Sequence, residues 1–106
     1  IDPREMLREL VGDLRSGLNV PRIAARFHNS ITAFSVQACQ IIREESGLRH
    51  VAISGGVWQH MRLMRTLLPA LEAEKFIPLY HHALPTNDAC VSLGQVMVAL
   101  HALREI

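Results

Sequence analysis

The chain has 106 residues, of which 49% are hydrophobic and 20% are charged, and its formal net charge is +1. This length allows one domain with a modest core, and the composition is typical of a soluble globular chain rather than a disordered one. Basic and acidic residues are interleaved, and no apolar stretch reaches the ~18 residues of a membrane span, so we expect neither a nucleic-acid nor a membrane partner.

Two amphipathic helices are predicted first. Asp2 is the expected N-cap of the first helix, with Pro3 in its first turn, and Gly17 ends it. Pro21 opens the second helix and Gly47 ends it. The apolar positions of the second helix recur at three- and four-residue spacing, which predicts one buried face. That face contains Ile23, Phe27, Ile31, Phe34, Ala38, Ile41 and Ile42.

Two short strands and two more helices follow. Residues 51–54 and 76–82 are predicted strands, and helices are predicted from Val57 to about Glu74 and from about Ala89 to Arg104. A long helix between two short strands favours parallel pairing with a right-handed crossover. The predicted fold class is therefore α/β, in the order α-α-β-α-β-α, with a small parallel sheet covered by helices.

The chain is expected to be part of something larger. Two strands alone make a poor sheet, so the remaining strands should lie upstream in a larger α/β domain. The sequence also begins with Ile1 instead of Met, which indicates an excised or processed piece. No linker divides it, so residues 1–106 are predicted to be a single C-terminal piece of that domain.

The most informative stretch is VAISGGV at residues 51–57, where a β-branched strand ends in Ser54-Gly55-Gly56. Glycines let a ligand approach the main chain closely, and a helix that begins near Val57 would direct unpaired N–H groups and its positive dipole end to the same place. The turn therefore suits a phosphate, a ribose or another polar group. A tight strand-to-helix connection with no ligand is the alternative interpretation.

A second turn, Pro85-Thr86-Asn87-Asp88, follows the second strand. In parallel β/α units, ligands collect at the carboxyl ends of the strands, so this turn and the glycine turn are predicted to share one edge. Either Asn87 or Asp88 can cap the last helix. Asp88 therefore has two possible roles: a metal or hydroxyl ligand, or an N-cap that stabilises its own helix.

Histidines and cysteines give weaker signals. His81 and His82 are neighbours on a predicted strand and would point to opposite faces, which argues against one shared metal ion. His28 is predicted to be structural, at a helix edge, whereas His60 lies one turn into the predicted third helix and within reach of a ligand at the glycine turn. The two cysteines lie far apart in helical patterns, which indicates reduced thiols and a cytoplasmic protein.

Four short motifs in this order and spacing resemble the C-terminal end of the HypF family of hydrogenase maturation carbamoyltransferases. They are ARFHNSI at residues 25–31, ISGGVWQ at 53–59, PTND at 85–88 and SLGQ at 92–95, and the resemblance covers nearly the whole chain. It implies part of an actin-like ATPase domain with a ribonuclease H-like fold, similar also to enzymes that threonylcarbamoylate tRNA. It further implies that ATP or carbamoyl-adenylate is bound and that the carbamoyl group passes to the C-terminal cysteine of a HypE-like acceptor, for synthesis of the cyanide ligand of nickel–iron hydrogenase.

The resemblance also implies roles for single residues. Ser54, Gly55, Gly56 and His60 would contact the nucleotide, although the family commonly has Asn at the last of these positions. Asp88 would bind a divalent metal, which is zinc, iron or magnesium. Two further residues would support the site: Asn87 and His28.

Because the family's histidine metal ligands lie in a half of the domain outside this sequence, the chain alone is expected to be inactive. Two alternatives stay open: a tRNA threonylcarbamoyl transferase, and a non-catalytic interaction module that dimerises through exposed apolar faces. Unpaired strand edges and unpartnered helix faces also predict that the chain self-associates. The predicted surface contains Met6, Leu10, Leu14, Phe27, Phe34, Met61 and Met64.

Overall fold

The computed structural model describes residues 2–105, and Ile1 and Ile106 lie outside the described part. The order α-α-β-α-β-α is confirmed, and a short 3-10 turn precedes each of the last two helices. The elements are α1 (Arg4–Arg15), α2 (Val20–Ser46), β1 (His50–Ile53), the 3-10 turn Gly56–Gln59, α3 (Met61–Ala73), β2 (Ile77–Tyr80), the 3-10 turn Asp88–Cys90 and α4 (Val91–Arg104).

The two strands form a parallel sheet, as predicted. Their register pairs His50 with Ile77 at one end and Ile53 with Tyr80 at the other. Helix α3 connects them, because parallel strands need a long crossover. The α/β fold class is therefore confirmed, with β2 ending at Tyr80, two residues earlier than the pattern predicts.

A small apolar core holds α3 between the sheet and α2. The buried cluster consists of Ile53 from β1, Leu67 and Leu71 from α3, and Phe76 just before β2. Leu71 is the most completely enclosed of these, with 1% of its surface exposed. Fully burying one such side chain contributes about 1.5–3 kcal/mol, so this cluster is what fixes α3 on the sheet.

The predicted apolar face of α2 is confirmed in its first turns, where Ile23 is buried and Phe27 is half-buried against α1, but it is wrong toward the end of the helix. Phe34, Ile41 and Ile42 are exposed.

The contacting stripe instead includes Val36 and Cys39, which pack on the core cluster. The same stripe includes the polar residues Thr32 and Arg43 at helical spacing. A search for apolar periodicity does not detect such a stripe.

Helix α2 begins and ends where its sequence signals predict. The Asn19 side chain accepts a hydrogen bond from the Arg22 N–H at 3.0 Å, Pro21 lies in the first turn, and Gly47 ends the helix in a left-handed conformation with φ of 72°. The predicted N-cap of α1 is displaced by one residue: α1 begins at Arg4 with Pro3 in the cap position, and the Asp2 carboxylate accepts from the Arg4 N–H.

The described residues form an elongated body of 62 × 32 × 24 Å. Its radius of gyration is 17.5 Å, whereas about 13 Å is expected for a compact chain of this length. One reason is that the sheet is covered on one face only: Val51, Ile53 and Tyr80 pack toward the core, and Ile77 and Leu79 on the other face are exposed. None of the described helices has the length and apolar character needed to cross a membrane.

Candidate functional site

The two turns predicted to share an edge are joined by hydrogen bonds. The Gly55 N–H donates to the Thr86 carbonyl at 2.8 Å. Next to this bond, Ser54 Oγ lies 3.0 Å from His81 Nε2. The second contact follows from the parallel register, because Ser54 and His81 each come directly after the last residue of a paired strand. The carboxyl edge of the sheet is therefore one continuous surface made by the residues after β1 and after β2.

The glycine turn has a different backbone from the predicted one. The sequence predicts that α3 begins near Val57, but residues Gly56–Gln59 form a 3-10 turn and α3 begins at Met61. The tighter turn is closed by bonds from the Trp58 N–H to the Gly55 carbonyl and from the His60 N–H to the Val57 carbonyl, both at 3.1 Å. The positive dipole end of α3 therefore lies at Met61 and not at Val57. The prediction that α3 begins near Val57 is wrong. The N–H groups available to a ligand are those that open the 3-10 turn, at Gly56 and Val57.

The two glycines of this turn meet different demands. Gly55 has φ of 107°, a conformation that side chains with a Cβ rarely adopt. Gly56 is not among the residues with positive φ, and a Cβ built on it would meet no atom of the chain within 4 Å. Backbone geometry therefore explains Gly55, whereas Gly56 leaves open space over the start of the 3-10 turn.

Asn87 and Asp88 have different structural roles in the second turn. Asn87 Oδ1 accepts a hydrogen bond from the Ala89 N–H at 3.0 Å, so Asn87 is the cap of the second 3-10 turn. Asp88 is the first residue inside that turn, and its side chain is exposed. The interpretation of Asp88 as an N-cap is therefore wrong. Because the 3-10 turn comes first, α4 begins at Val91, two residues later than predicted.

The described residues do not complete a metal site. Across residues 2–105, no group of three or more His, Cys, Asp or Glu side chains lies close enough together to hold an ion. His81 is engaged with Ser54, and the His82 ring lies 4.4 Å from the Tyr80 ring. Both histidines follow β2 instead of lying on it, so the prediction that they point to opposite faces of a strand does not apply. Each ring contacts a different residue, so the two do not share one position for an ion. Asp88 could supply one ligand to an ion whose other ligands come from elsewhere.

His28 of α2 and His60, which follows the first 3-10 turn, lie together. Their ring centroids are 4.8 Å apart. His28 Nδ1 lies 2.7 Å from the Ala24 carbonyl, and since a carbonyl only accepts, this nitrogen carries a proton. His60 precedes α3 instead of lying one turn inside it. The predicted structural role of His28 agrees with these contacts, and the contact joins α2 to the end of the glycine turn.

Neither cysteine is placed as a nucleophile. Cys39 packs against the core cluster, and burial raises the pKa of its thiol. The Cys90 thiol lies 3.3 Å from the Asn87 carbonyl. Both are free thiols, in agreement with the predicted absence of a disulfide framework.

A mostly apolar groove of about 450 Å³ lies beside the edge, between the 3-10 turn, α3 and the end of β2. Two of its lining residues, His81 and Thr86, were not predicted as site residues, and the Thr86 Oγ1 is buried without a hydrogen-bond partner among the described residues. Strand register was the signal that could have found His81, since it places that residue opposite Ser54. Nothing in the sequence marks the Thr86 carbonyl as the acceptor for Gly55.

The two glycines should respond differently to the same substitution. We expect Gly55→Ala to lower the free energy of unfolding by about 1–3 kcal/mol, because alanine is strained at that φ. Gly56→Ala should change it by less than about 0.5 kcal/mol, since a methyl group there meets nothing in this chain. Urea unfolding of both variants at one protein concentration measures the difference. Equal losses would mean that the strain at Gly55 does not limit stability.

Comparison with known proteins identifies the family. The model of a family described as carbamoyltransferase, Kae1-like domain, second subdomain, matches residues 1–95. The chain is 30% identical to carbamoyltransferase HypF of Synechocystis sp. over 106 residues, which are 100% of this chain and 13% of that protein. It is 35% identical to carbamoyltransferase HypF2 of Cupriavidus necator over 98 residues, which are 89% of this chain and 12% of that protein.

A solved structure agrees with these matches. It is a crystal structure of full-length HypF in the phosphate- and nucleotide-bound form, which superposes with a TM-score of 0.93 at 35% identity. The match covers 97% of this chain and 14% of that one, so the chain spans a small part of each relative. These matches show that the chain belongs to the HypF family of carbamoyltransferases, in the second subdomain of the Kae1-like domain.

Proposed function

We propose that this chain forms the nucleotide-facing part of the carbamoyl-transfer site of a HypF-type enzyme. In this proposal the enzyme binds carbamoyl-adenylate, made with ATP, and transfers the carbamoyl group to the C-terminal cysteine of a HypE-like acceptor protein. The observation that carries the proposal is the open surface at Gly56, on the edge where both strands end. The nucleotide and phosphate bound by the full-length HypF that this chain resembles support it.

The glycine turn is proposed to hold the phosphate or ribose side of the adenylate. The N–H groups of Gly56 and Val57 are the donors that open the 3-10 turn, and a phosphate accepts from such groups. Ser54 adds an exposed hydroxyl, and its contact with His81 Nε2 fixes the direction of that hydroxyl. The glycine surface lets the ligand approach the backbone to hydrogen-bond distance.

The transfer itself needs a thiol from outside the chain. In the proposed reaction, the acceptor thiolate sulfur bonds to the carbamoyl carbon, and the bond from that carbon to the adenylate phosphate oxygen breaks, which releases AMP. Neither Cys39 nor Cys90 fits the role of that nucleophile, because one packs on the core and the other lies against the Asn87 carbonyl. Binding and orienting the donor is therefore the work proposed for this chain.

Asp88 is proposed to give one ligand to a divalent metal, which is zinc, iron or magnesium. Such an ion would polarise the carbamoyl oxygen. The Asp88 carboxylate is exposed, and Asn87 provides the cap of this turn. The carboxylate is therefore free to bind a ligand, which supports this assignment. The remaining ligands must come from outside residues 2–105, because those residues hold no cluster that could complete the site.

The full-length relatives and the family model favour HypF-type carbamoyl transfer over tRNA threonylcarbamoylation. We accordingly propose a cytoplasmic protein with a HypE-like protein partner and with no nucleic-acid or membrane partner. His60 remains a proposed nucleotide contact. Its backbone joins the 3-10 turn to α3, and its ring lies on His28.

We expect Gly56→Ala, in a full-length HypF-type protein that carries this segment, to weaken nucleotide binding about tenfold or more, which is ~1.4 kcal/mol. The added methyl group occupies the space where the ligand meets the backbone. Isothermal titration calorimetry with ATP measures the effect. The matched control is Gly12→Ala in α1, where a Cβ is equally unhindered and far along the chain from the site. Unchanged affinity in Gly56→Ala would reduce the turn to a connector.

Asp88→Ala in the same full-length protein should remove bound metal and carbamoyl transfer while leaving the fold largely intact. The substitution removes a proposed metal ligand, but it breaks no capping hydrogen bond, because Asn87 makes that bond. Asn87→Ala is the control, because losing the cap costs about 1 kcal/mol and leaves the carboxylate in place. Elemental analysis and a transfer assay distinguish the two variants. Full metal occupancy in Asp88→Ala would rule out Asp88 as a ligand.

The 106-residue chain alone should show neither carbamoyl transfer nor ATP cleavage. The described residues complete no metal site and provide no suitably placed thiol. Release of phosphate or AMP from ATP, followed with the purified chain, tests this. Turnover that disappears in Asp88→Ala would show that the chain carries a complete site after all.

A further inference from the structure

Ser54 and His81 form a side-chain pair at the carboxyl edge of the sheet. Ser54 Oγ lies 3.0 Å from His81 Nε2, which is within hydrogen-bond distance. Ser54 is exposed, whereas His81 is half-buried and also lines the apolar groove beside α3. The exposed hydroxyl is therefore open to a ligand next to the glycine turn, and the more buried imidazole is its partner within the chain.

The direction of this hydrogen bond decides what Ser54 offers to a ligand. A hydroxyl has one proton and two lone pairs, and an imidazole nitrogen either carries a proton or accepts one. When His81 Nε2 carries a proton, it donates to Ser54 Oγ and leaves the hydroxyl proton for the ligand. When Nε2 carries none, the hydroxyl donates to it, and only lone pairs remain for the ligand.

The surroundings of His81 favour an anion as that ligand. His81 lines two cavities, of about 250 and 450 Å³, and the described chain places no Asp or Glu side chain in the wall of either. Arg65 of α3 lines the larger cavity, and Tyr80 lines both. Neutral and basic groups attract negative charge and repel a metal ion, so a phosphate fits this position.

A phosphate can use only one of the two hydrogen-bond directions. Its oxygens accept hydrogen bonds and do not donate them, so Ser54 binds a phosphate only as a donor. Ser54 is free to donate only when His81 Nε2 donates to it. A ribose hydroxyl both donates and accepts, and it would be bound in either direction.

We propose that the Ser54 hydroxyl donates to a phosphate oxygen of the bound nucleotide and that His81 is the positioning residue that holds it in this direction. The inference rests on the proposed function and narrows it, because it assigns a phosphate and not a ribose to this side chain. The His81 Nε2–H donates to Ser54 Oγ, and the Ser54 O–H donates to the phosphate. His81 acts on the nucleotide only through Ser54, and each hydrogen bond of the chain polarises the next.

The test is isothermal titration calorimetry with ATP on a full-length HypF-type protein that carries this segment. Ser54→Ala should weaken ATP binding about tenfold, since it removes a hydrogen bond to a charged group. His81→Leu should weaken it about threefold or more, because the hydroxyl is no longer held as a donor. The double variant should bind no more weakly than Ser54→Ala alone, because His81 acts through Ser54.

A conservative variant, a neighbouring histidine and a ligand without phosphate serve as controls. His81→Gln should bind ATP within about twofold of the wild-type protein, because its amide N–H replaces the Nε2 proton. His82→Leu should leave the affinity unchanged, since the His82 ring contacts Tyr80. Adenosine, which has no phosphate, should bind equally well to the wild-type protein and to every variant.

Ser54 is exposed, so Ser54→Ala should leave the fold intact. Unchanged ATP affinity in that variant would overturn the proposal, as would losses that add in the double variant or a His81→Gln protein that binds as weakly as His81→Leu. An equal loss of adenosine affinity in Ser54→Ala would show that the contact is not to a phosphate. If Gly56→Ala weakens ATP binding and Ser54→Ala does not, only the phosphate contact of Ser54 is wrong. Unchanged ATP affinity in Gly56→Ala would contradict the proposed function itself.

Discussion

Parallel pairing of β1 and β2 is the constraint on which the rest of this structure depends. Parallel strands need a crossover, so the residues between them must form a helix long enough to return, and that helix must lie against the sheet. The core follows from this, since Ile53 of β1 meets Leu67 and Leu71 of α3 in one buried cluster. The site follows from it as well, because both strands end at the same edge. An antiparallel hairpin of the same two segments would separate the glycine turn from the Asp88 turn.

Polar contacts add to the apolar packing of Val36 and Cys39 that holds α2 on this unit. The Thr32 and Thr66 hydroxyls are 2.9 Å apart between α2 and α3. Just after α3, the chain is contacted by Arg43 of α2. The Arg43 guanidinium lies 4.2 Å from the centre of the Phe76 ring and donates a hydrogen bond to the Glu74 carbonyl. Arg49 donates to the Lys75 carbonyl, where the backbone adopts a left-handed φ of 62°. These bonds satisfy the carbonyls of the two residues that follow α3, so arginines from α2 and from the residue before β1 hold the reversal into β2.

These contacts explain what the sequence could and could not predict. Element order, parallel pairing and the ends of α2 follow from local signals such as Asn19, Pro21 and Gly47, which act through the nearest backbone. The face of α2 that meets α3 does not, because it includes the half-buried Thr32 and Arg43, and neither is apolar. The start of α3 was missed for a related reason: the bonds that make Gly56–Gln59 a 3-10 turn differ from α-helical ones by a single residue of spacing. Sequence periodicity cannot distinguish them over four residues.

The same edge separates residues that the fold needs from residues that it does not. Gly55 supplies the backbone conformation and the hydrogen bond to Thr86, and Asn87 supplies the cap. Their neighbours Gly56 and Asp88 satisfy no such requirement within the described chain, yet both lie at the carboxyl edge of the sheet. Asp88 is exposed, and a Cβ at Gly56 would meet no atom of the described chain, so both positions are accessible from outside it. In the proposed function, Gly56 and Asp88 are therefore free to meet a ligand at this edge, while Gly55 and Asn87 maintain the turns.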